Sequence, residues 1–282
     1  MDDRFDDLLN DLKNNRESGA TSLALLTLSA LKDYLEDMPV QSAEKIEDLC
    51  QTLTAARPSM IALGNALQRW QHRLEVAEID FKQQYLTQLV KVYQQLADAS
   101  EQVAAHAANL LKPGMTVLTH SRSSQVMALF EQALEQHQEF KVIVTVSAPG
   151  NEGLIVASQL NRLGIPVTLI TDAEMGLVMP EVDINISGCD SWLTDHHFLN
   201  KTGTLLQALA AQHFGKPFWV LADSFKNSHQ TSHEVTLEAM PVDELPLPEG
   251  EKIAAKNVYF ETISTRLING RVDEHGLQVM QP

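Results

Sequence analysis

Four side chains able to hold a phosphate or move a proton, Ser121, Arg122, Asp190 and Lys226, each lie just beyond a short apolar run. Serine hydroxyls and the free N–H groups of a helix start donate to phosphate oxygens. An arginine adds a planar two-pronged donor, and an aspartate is a proton acceptor. The runs span residues 116–119, 142–145, 167–170, 183–186 and 218–221, and each closes in a polar turn before a helix-like segment. Apolar runs alternating with helical patterns predict a parallel sheet built from right-handed crossovers. In such sheets ligands sit beyond the carboxyl ends of the strands, so these four residues fall on one rim.

Further candidates flank that rim. Arg57 precedes Pro58, which reads as the first residue of a helix, and free donors beside a guanidinium make an anion site. Helix punctuation alone explains the same residues. Arg16, Gly19 and Ala20 form a similar small-residue turn with a cation beside it. The turn at 120–124 offers Ser121 and Arg122, with simple helix capping as the plainer reading. Asn200 and Lys201 stand where the helix after the fourth run is expected to open, about ten residues beyond Asp190. Cys189 reads as a small buried residue. His196 and His197 are adjacent, with no spaced third ligand, so no metal is expected. No glycine-rich dinucleotide fingerprint and no Walker sequence is present, so no cofactor is expected either.

The first part of the chain differs in kind. Residues 5–12, 22–31 and 79–99 carry apolar side chains at helical spacing with few glycines or prolines. Four to six helices are expected in an N-terminal all-α domain, 1–110, with the segment at Pro113 and Gly114 marking the change. The pattern through Tyr85, Leu89, Val92 and Leu96 reads as a helix packed on that bundle, since no heptad is sustained. Residues 111–282 form the expected Rossmann-like α/β domain. Within it, 234–251 is acidic and proline-spaced and reads as a surface loop or flap, and 258–276 returns to strand character.

Composition bounds the partners. The chain has 282 residues, with 21 Lys and Arg against 37 Asp and Glu, a formal charge of −16. That balance opposes nucleic acid and anionic membrane, while a few arginines and helix starts still suit a phosphorylated sugar or nucleotide. No run approaches a membrane span, the acidic start is unlike a secretory signal, and the two cysteines make no disulfide framework. A cytoplasmic protein is expected.

Several motifs together resemble one superfamily. They are Leu118 to Ser121, Asn200 to Thr204, Lys216 to Phe218 and Ala222 to Lys226, with Arg57 to Ser59 and Glu274 to Gly276. The superfamily holds the alpha, beta and delta subunits of eukaryotic initiation factor 2B, methylthioribose-1-phosphate isomerase and ribose-1,5-bisphosphate isomerase. The resemblance implies a helical domain on a Rossmann-like domain and a homodimer formed through the latter. It also implies Asp190 as a proton-relaying residue, Arg57, Asn200 and Lys201 as substrate contacts, and Arg16, Gly19 and Ala20 as a phosphate-binding turn. The isomerase cysteine is Ser121 here, and an arginine of the pattern is Ala148, with Arg122 on the adjacent turn as its replacement. A hydroxyl relays protons poorly beside a thiol of pKa about 8.5. Three functions are therefore expected to compete: an isomerase using Asp190 and Ser121, a non-catalytic phosphometabolite binder, and a regulatory subunit that binds protein partners.

Overall fold

The computed structural model describes residues 2–15, 18–39, 41–74, 81–237, 239–248, 250 and 252–280. The chain opens with helices α1 (Asp3–Asn14), α2 (Ala20–Asp37), α3 (Ala43–Ala56), α4 (Ile61–Gln71) and α5 (Phe81–Ala108). Their starts follow local chemistry. Asp2 and Ser42 accept the N–H groups of Phe5 and Lys45 and so cap α1 and α3. Their apolar stripes meet in one core around Phe5, Leu28, Leu31, Leu53, Trp70 and Tyr85. Trp70 resolves its polar edge there, donating its indole N–H to the Tyr85 carbonyl across 2.8 Å.

Strand β1 (Thr116–Thr119) leads to α6 (Ser124–Glu135), β2 (Lys141–Thr145) to α7 (Glu152–Arg162), and β3 (Val167–Ile170) to the one-turn α8 (Met175–Val178). Next come β4 (Ile184–Ser187), the short β5 (Ser191–Trp192), β6 (His197–Lys201) and α9 (Thr204–His213). The chain ends through β7 (Phe218–Leu221), β8 (Phe260–Ser264), β9 (Gly270–Asp273) and β10 (Gly276–Val279). The large sheet runs β10-β9-β7-β4-β1-β2-β3, and its pairs are parallel except β9 with β10. From β1 the chain winds outward to β2 and β3, then returns to the other side at β4. The carboxyl ends of β1 and β4 are therefore the switch point, where a crevice must open.

Three sequence expectations need correction. The fivefold strand-then-helix pattern fails after β4 and β7. After β4 a second, antiparallel sheet, β5-β6-β8, interrupts, and after β7 only a tight turn, Ser224–Lys226, follows. Asn200 and Lys201 do not open a helix: they end β6, and α9 starts at Thr204 after Gly203 turns with φ +111°. Pro58 does not start one either. It sits in the turn between α3 and α4, and Arg57 caps the end of α3.

The helical and sheet portions share α5. At roughly 1.5 Å per residue its 28 residues reach about 42 Å. Its first half packs Tyr85, Leu89, Val92 and Leu96 into the helical core, and its last turns place Val103, Ala107 and Ala108 in the core beneath the sheet. A second tie runs from α4. Asn65 donates to the carbonyls of Phe225 (2.6 Å) and Asn227 (2.8 Å), and the Arg69 guanidinium stacks on the Phe225 ring at 3.7 Å. These ties hold the bundle over the switch point.

Candidate functional site

Side chains from both portions line one pocket at the switch point. The turn after β1 contributes His120, Ser121, Arg122, Ser123 and Ser124, and the turn after β4 contributes Gly188, Cys189 and Asp190. β6 adds Asn200 and Lys201, the turn after β7 adds Lys226, and α7 adds Glu152. From the bundle come Gly19, Ala20 and Arg57, from the C-terminal loops Met240 and Tyr259, and from the start of β8 Phe260. All the sequence-predicted site residues that the structure describes are thus gathered here: Ser121, Arg122, Asp190, Gly19, Ala20, Arg57, Asn200 and Lys201. Arg16 lies outside the described residues.

Two helix starts meet in this pocket. A Cβ on Gly19, the N-cap of α2, would stand 3.0 Å from the Ser124 amide at the start of α6. The first N–H groups of both helices have no carbonyl one turn earlier, so together they form a donor surface for an anion. The β4 turn closes on the same place: a Cβ on Gly188 would lie 2.5 Å from the Ser123 hydroxyl. Arg57 does different work from a free anion donor. Its guanidinium reaches the carbonyls of Leu12 and Asn15 at 3.4 and 3.0 Å and so ties down the carboxyl end of α1 while lining the pocket.

Both lysines are fixed by partners. The Lys201 ammonium meets Glu152 Oε1 at 2.6 Å and lies 3.7 Å over the Tyr259 ring. Lys226 donates to Gln125 Oε1 at 2.8 Å, while the amide of Gln125 donates to the buried Asp223 at 2.6 Å. Asn200 donates to the hydroxyls of Ser187 and Thr204, both at 2.9 Å. Ser121 is held at φ +63°, a conformation uncommon for a side-chain-bearing residue, and its amide donates to the Ser147 hydroxyl at 2.7 Å.

Asp190 stands among these charges. Burial pushes its carboxyl up to about 6, against the opposing pull of Lys226, Lys201 and Arg57 and with a further push from Glu152. A carboxyl so tuned is ionised at neutral pH yet basic enough to take a proton. His120 is not its partner in acid–base work. Its Nε2 lies 2.9 Å from the Thr202 carbonyl, which can only accept, so Nε2 carries the hydrogen and Nδ1 accepts from the Thr145 hydroxyl at 2.6 Å. Burial lowers its pKa further, so the ring is a neutral pillar between β1 and β6. Cys189 is the small buried residue expected: it packs in the core with Leu118 and Phe198, and burial drives its thiol up to about 12.

Comparison with known sequences and structures settles the lineage. The profile described as Initiation factor 2 subunit family matches residues 16–278. The chain belongs to that family. A translation initiation factor eIF-2B subunit 2-like protein of Pyrococcus abyssi is 33% identical over 99% of this chain and 98% of its own length. A ribose 1,5-bisphosphate isomerase of Haloferax volcanii is 29% identical over 92% of this chain and 83% of its own. The crystal structure of the Pyrococcus horikoshii translation initiation factor eIF-2B superposes with a TM-score of 0.88 at 29% identity, covering 99% of this chain and 98% of that one. The family thus contains proteins named for translation and proteins named for sugar-phosphate isomerisation.

Sequence reasoning did not single out Glu152, His120 or Tyr259. An acidic residue in the first turn of a helix is ordinary, so Glu152 carried no signal. Tyr259 arrives from the far side of a long loop, and only the fold brings it to Lys201.

Proposed function

We propose that the chain binds a phosphorylated sugar in this pocket and that Asp190 is the base of an aldose 1-phosphate to ketose phosphate isomerisation. The observation that carries this reading is the raised Asp190 carboxyl among Lys226, Lys201 and Arg57, beside the paired starts of α2 and α6. The phosphate goes to the helix starts, with Arg57 and Arg122 at hand. Asp190 takes the proton from C2 while the bond from C1 to the ring oxygen breaks. The ring oxygen leaves with a proton supplied through Ser121, and an enol phosphate forms. The Asp190 proton then returns to C1 while the C2 hydroxyl gives its own proton back to Ser121, leaving the ketone at C2. Ser121 takes the place of the family's proton-relaying cysteine, so turnover is expected to be slow. In this reading the protein works in the cytoplasm as a homodimer.

A second reading is favoured by Ser121 and by the near full-length match to an eIF-2B subunit 2-like protein. It is a non-catalytic regulatory subunit that keeps the ligand pocket and binds protein partners. A ³¹P NMR time course with ribose 1-phosphate separates the two. New ketose-phosphate resonances, abolished in Asp190→Asn while binding persists, support the isomerase. Broadened but unconverted resonances support the regulatory subunit, and an Asp190→Asn variant as active as wild type removes Asp190 as the base.

A further inference from the structure

The carboxylate of Glu152 changes what the pocket accepts. Glu152 is the first residue of α7, so its own acid stands at the start of that helix, unlike the start of α2, which no side chain caps. Its Oε1 pairs with Lys201 at 2.6 Å, and its Oε2 is buried without a hydrogen-bond partner. The preceding turn packs close: a Cβ on Gly150 would lie 2.7 Å from Oε1. That turn supplies no cation. Position 148 is alanine, and the amides of Ser147 and Ala148 donate to the Asp172 carboxylate at 2.9 and 2.8 Å. On the β2 side of the pocket, then, the Glu152 carboxylate faces a lysine already paired with it, and the amides of the neighbouring turn are already bound to Asp172.

We infer that Glu152 restricts the site to a pentose bearing a single phosphate, with a free hydroxyl at the end that faces α7. A second phosphate there would meet a carboxylate and find Lys201 engaged. A hydroxyl there meets no like charge and can donate to the Glu152 carboxylate. Glu152 is in this view a specificity residue, acting by repulsion as much as by attraction. The inference rests on the phosphopentose reading of the pocket.

Isothermal titration of the full chain with ribose 1-phosphate, ribose 1,5-bisphosphate and 5-deoxyribose 1-phosphate tests it. Like-charge contact in a desolvated pocket predicts that wild type binds ribose 1-phosphate at least about tenfold tighter than the bisphosphate. Loss of the hydroxyl in 5-deoxyribose 1-phosphate is expected to weaken binding about fivefold or more. In Glu152→Gln the preference over the bisphosphate is expected to shrink or reverse. Wild type binding the bisphosphate as tightly as the monophosphate overturns the inference and leaves the phosphopentose reading intact. So does an unchanged preference in folded Glu152→Gln. Binding of none of the three overturns that reading and the inference with it.

Discussion

At the scale of single residues, Asp190 makes the sharpest commitments. Its carboxyl is raised from about 3.8 to about 6 by burial, so the folded state favours the neutral form. The associated stability is present below the unfolded pKa and is lost as pH rises through about 6, a cost of up to about 3 kcal/mol at neutrality. Asparagine cannot ionise. Asp190→Asn is therefore expected to melt at a higher temperature than wild type at pH 7 to 8, with the gap closing by pH 4. Differential scanning calorimetry across that range checks it, and equal melting temperatures at pH 8 would refute the shifted carboxyl. If Asp190 is the base, kcat/KM rises with pH through about 6 and then levels. Ser121 offers the complementary change. A thiol relays protons far better than a hydroxyl near neutrality, and general acid–base help is worth roughly 10²–10⁴-fold. Ser121→Cys is accordingly expected to raise turnover by at least about tenfold in initial ³¹P NMR rates, and no gain would show that Ser121 does not limit the proton relay.

Elements were unevenly legible. The strands β1, β3 and β7 have the bounds that their apolar runs announce: β1 and β7 are buried between neighbours in a mainly parallel sheet, and β3, largely exposed at its edge, is fixed by pairing with β2. β4 lies one residue later than its run: Asp183 stays exposed just before it, its N–H donating to the Thr116 carbonyl and its carboxylate accepting the Thr116 amide. β5 was invisible: two residues carry no period, and only pairing with β6 makes them a strand. Site residues at strand ends, such as Ser121 and Asp190, could be read for the same reason that the strands could. Glu152 could not, because its position depends on how closely α7 sits against β2. That closeness has its own test. A Cβ on Gly153 would fall 1.7 Å from the Thr145 carbonyl oxygen, so Gly153→Ala must push α7 off β2, at a cost of about 1–3 kcal/mol. Gly176, in α8, has nothing within 4 Å, and Gly176→Ala is expected to be neutral or to stabilise by up to about 1 kcal/mol. Urea midpoints for the two variants make the comparison, and a Gly153→Ala midpoint equal to wild type would contradict the packing.

At the scale of the whole molecule, α9 has two apolar faces and only one is covered within the chain. Ala208 and Ala211 pack inward, while Leu206 and Leu209 are 57% and 45% exposed, continuous with Phe214 at 40%. Leu177 of α8, which packs on α9, is 74% exposed. A helix apolar on both sides requires cover on both, and an exposed apolar patch of this kind marks an interface. The formal charge of −16 argues that two such chains repel at most faces, but α9 carries no acidic or basic side chain except His213. A second copy placed against α8 and α9 avoids that repulsion and buries the leucines. Light scattering on the purified protein is expected to give twice the 31.3 kDa chain mass. Leu206→Glu combined with Leu209→Glu is expected to give a monomer, since each pair of facing glutamates would add like charge where apolar contact was lost. Both changes lie on the exposed side of α9, so circular dichroism should stay native while the mass halves. A wild-type monomer at micromolar concentration would refute the dimer, and a double variant that remains dimeric would move the interface elsewhere.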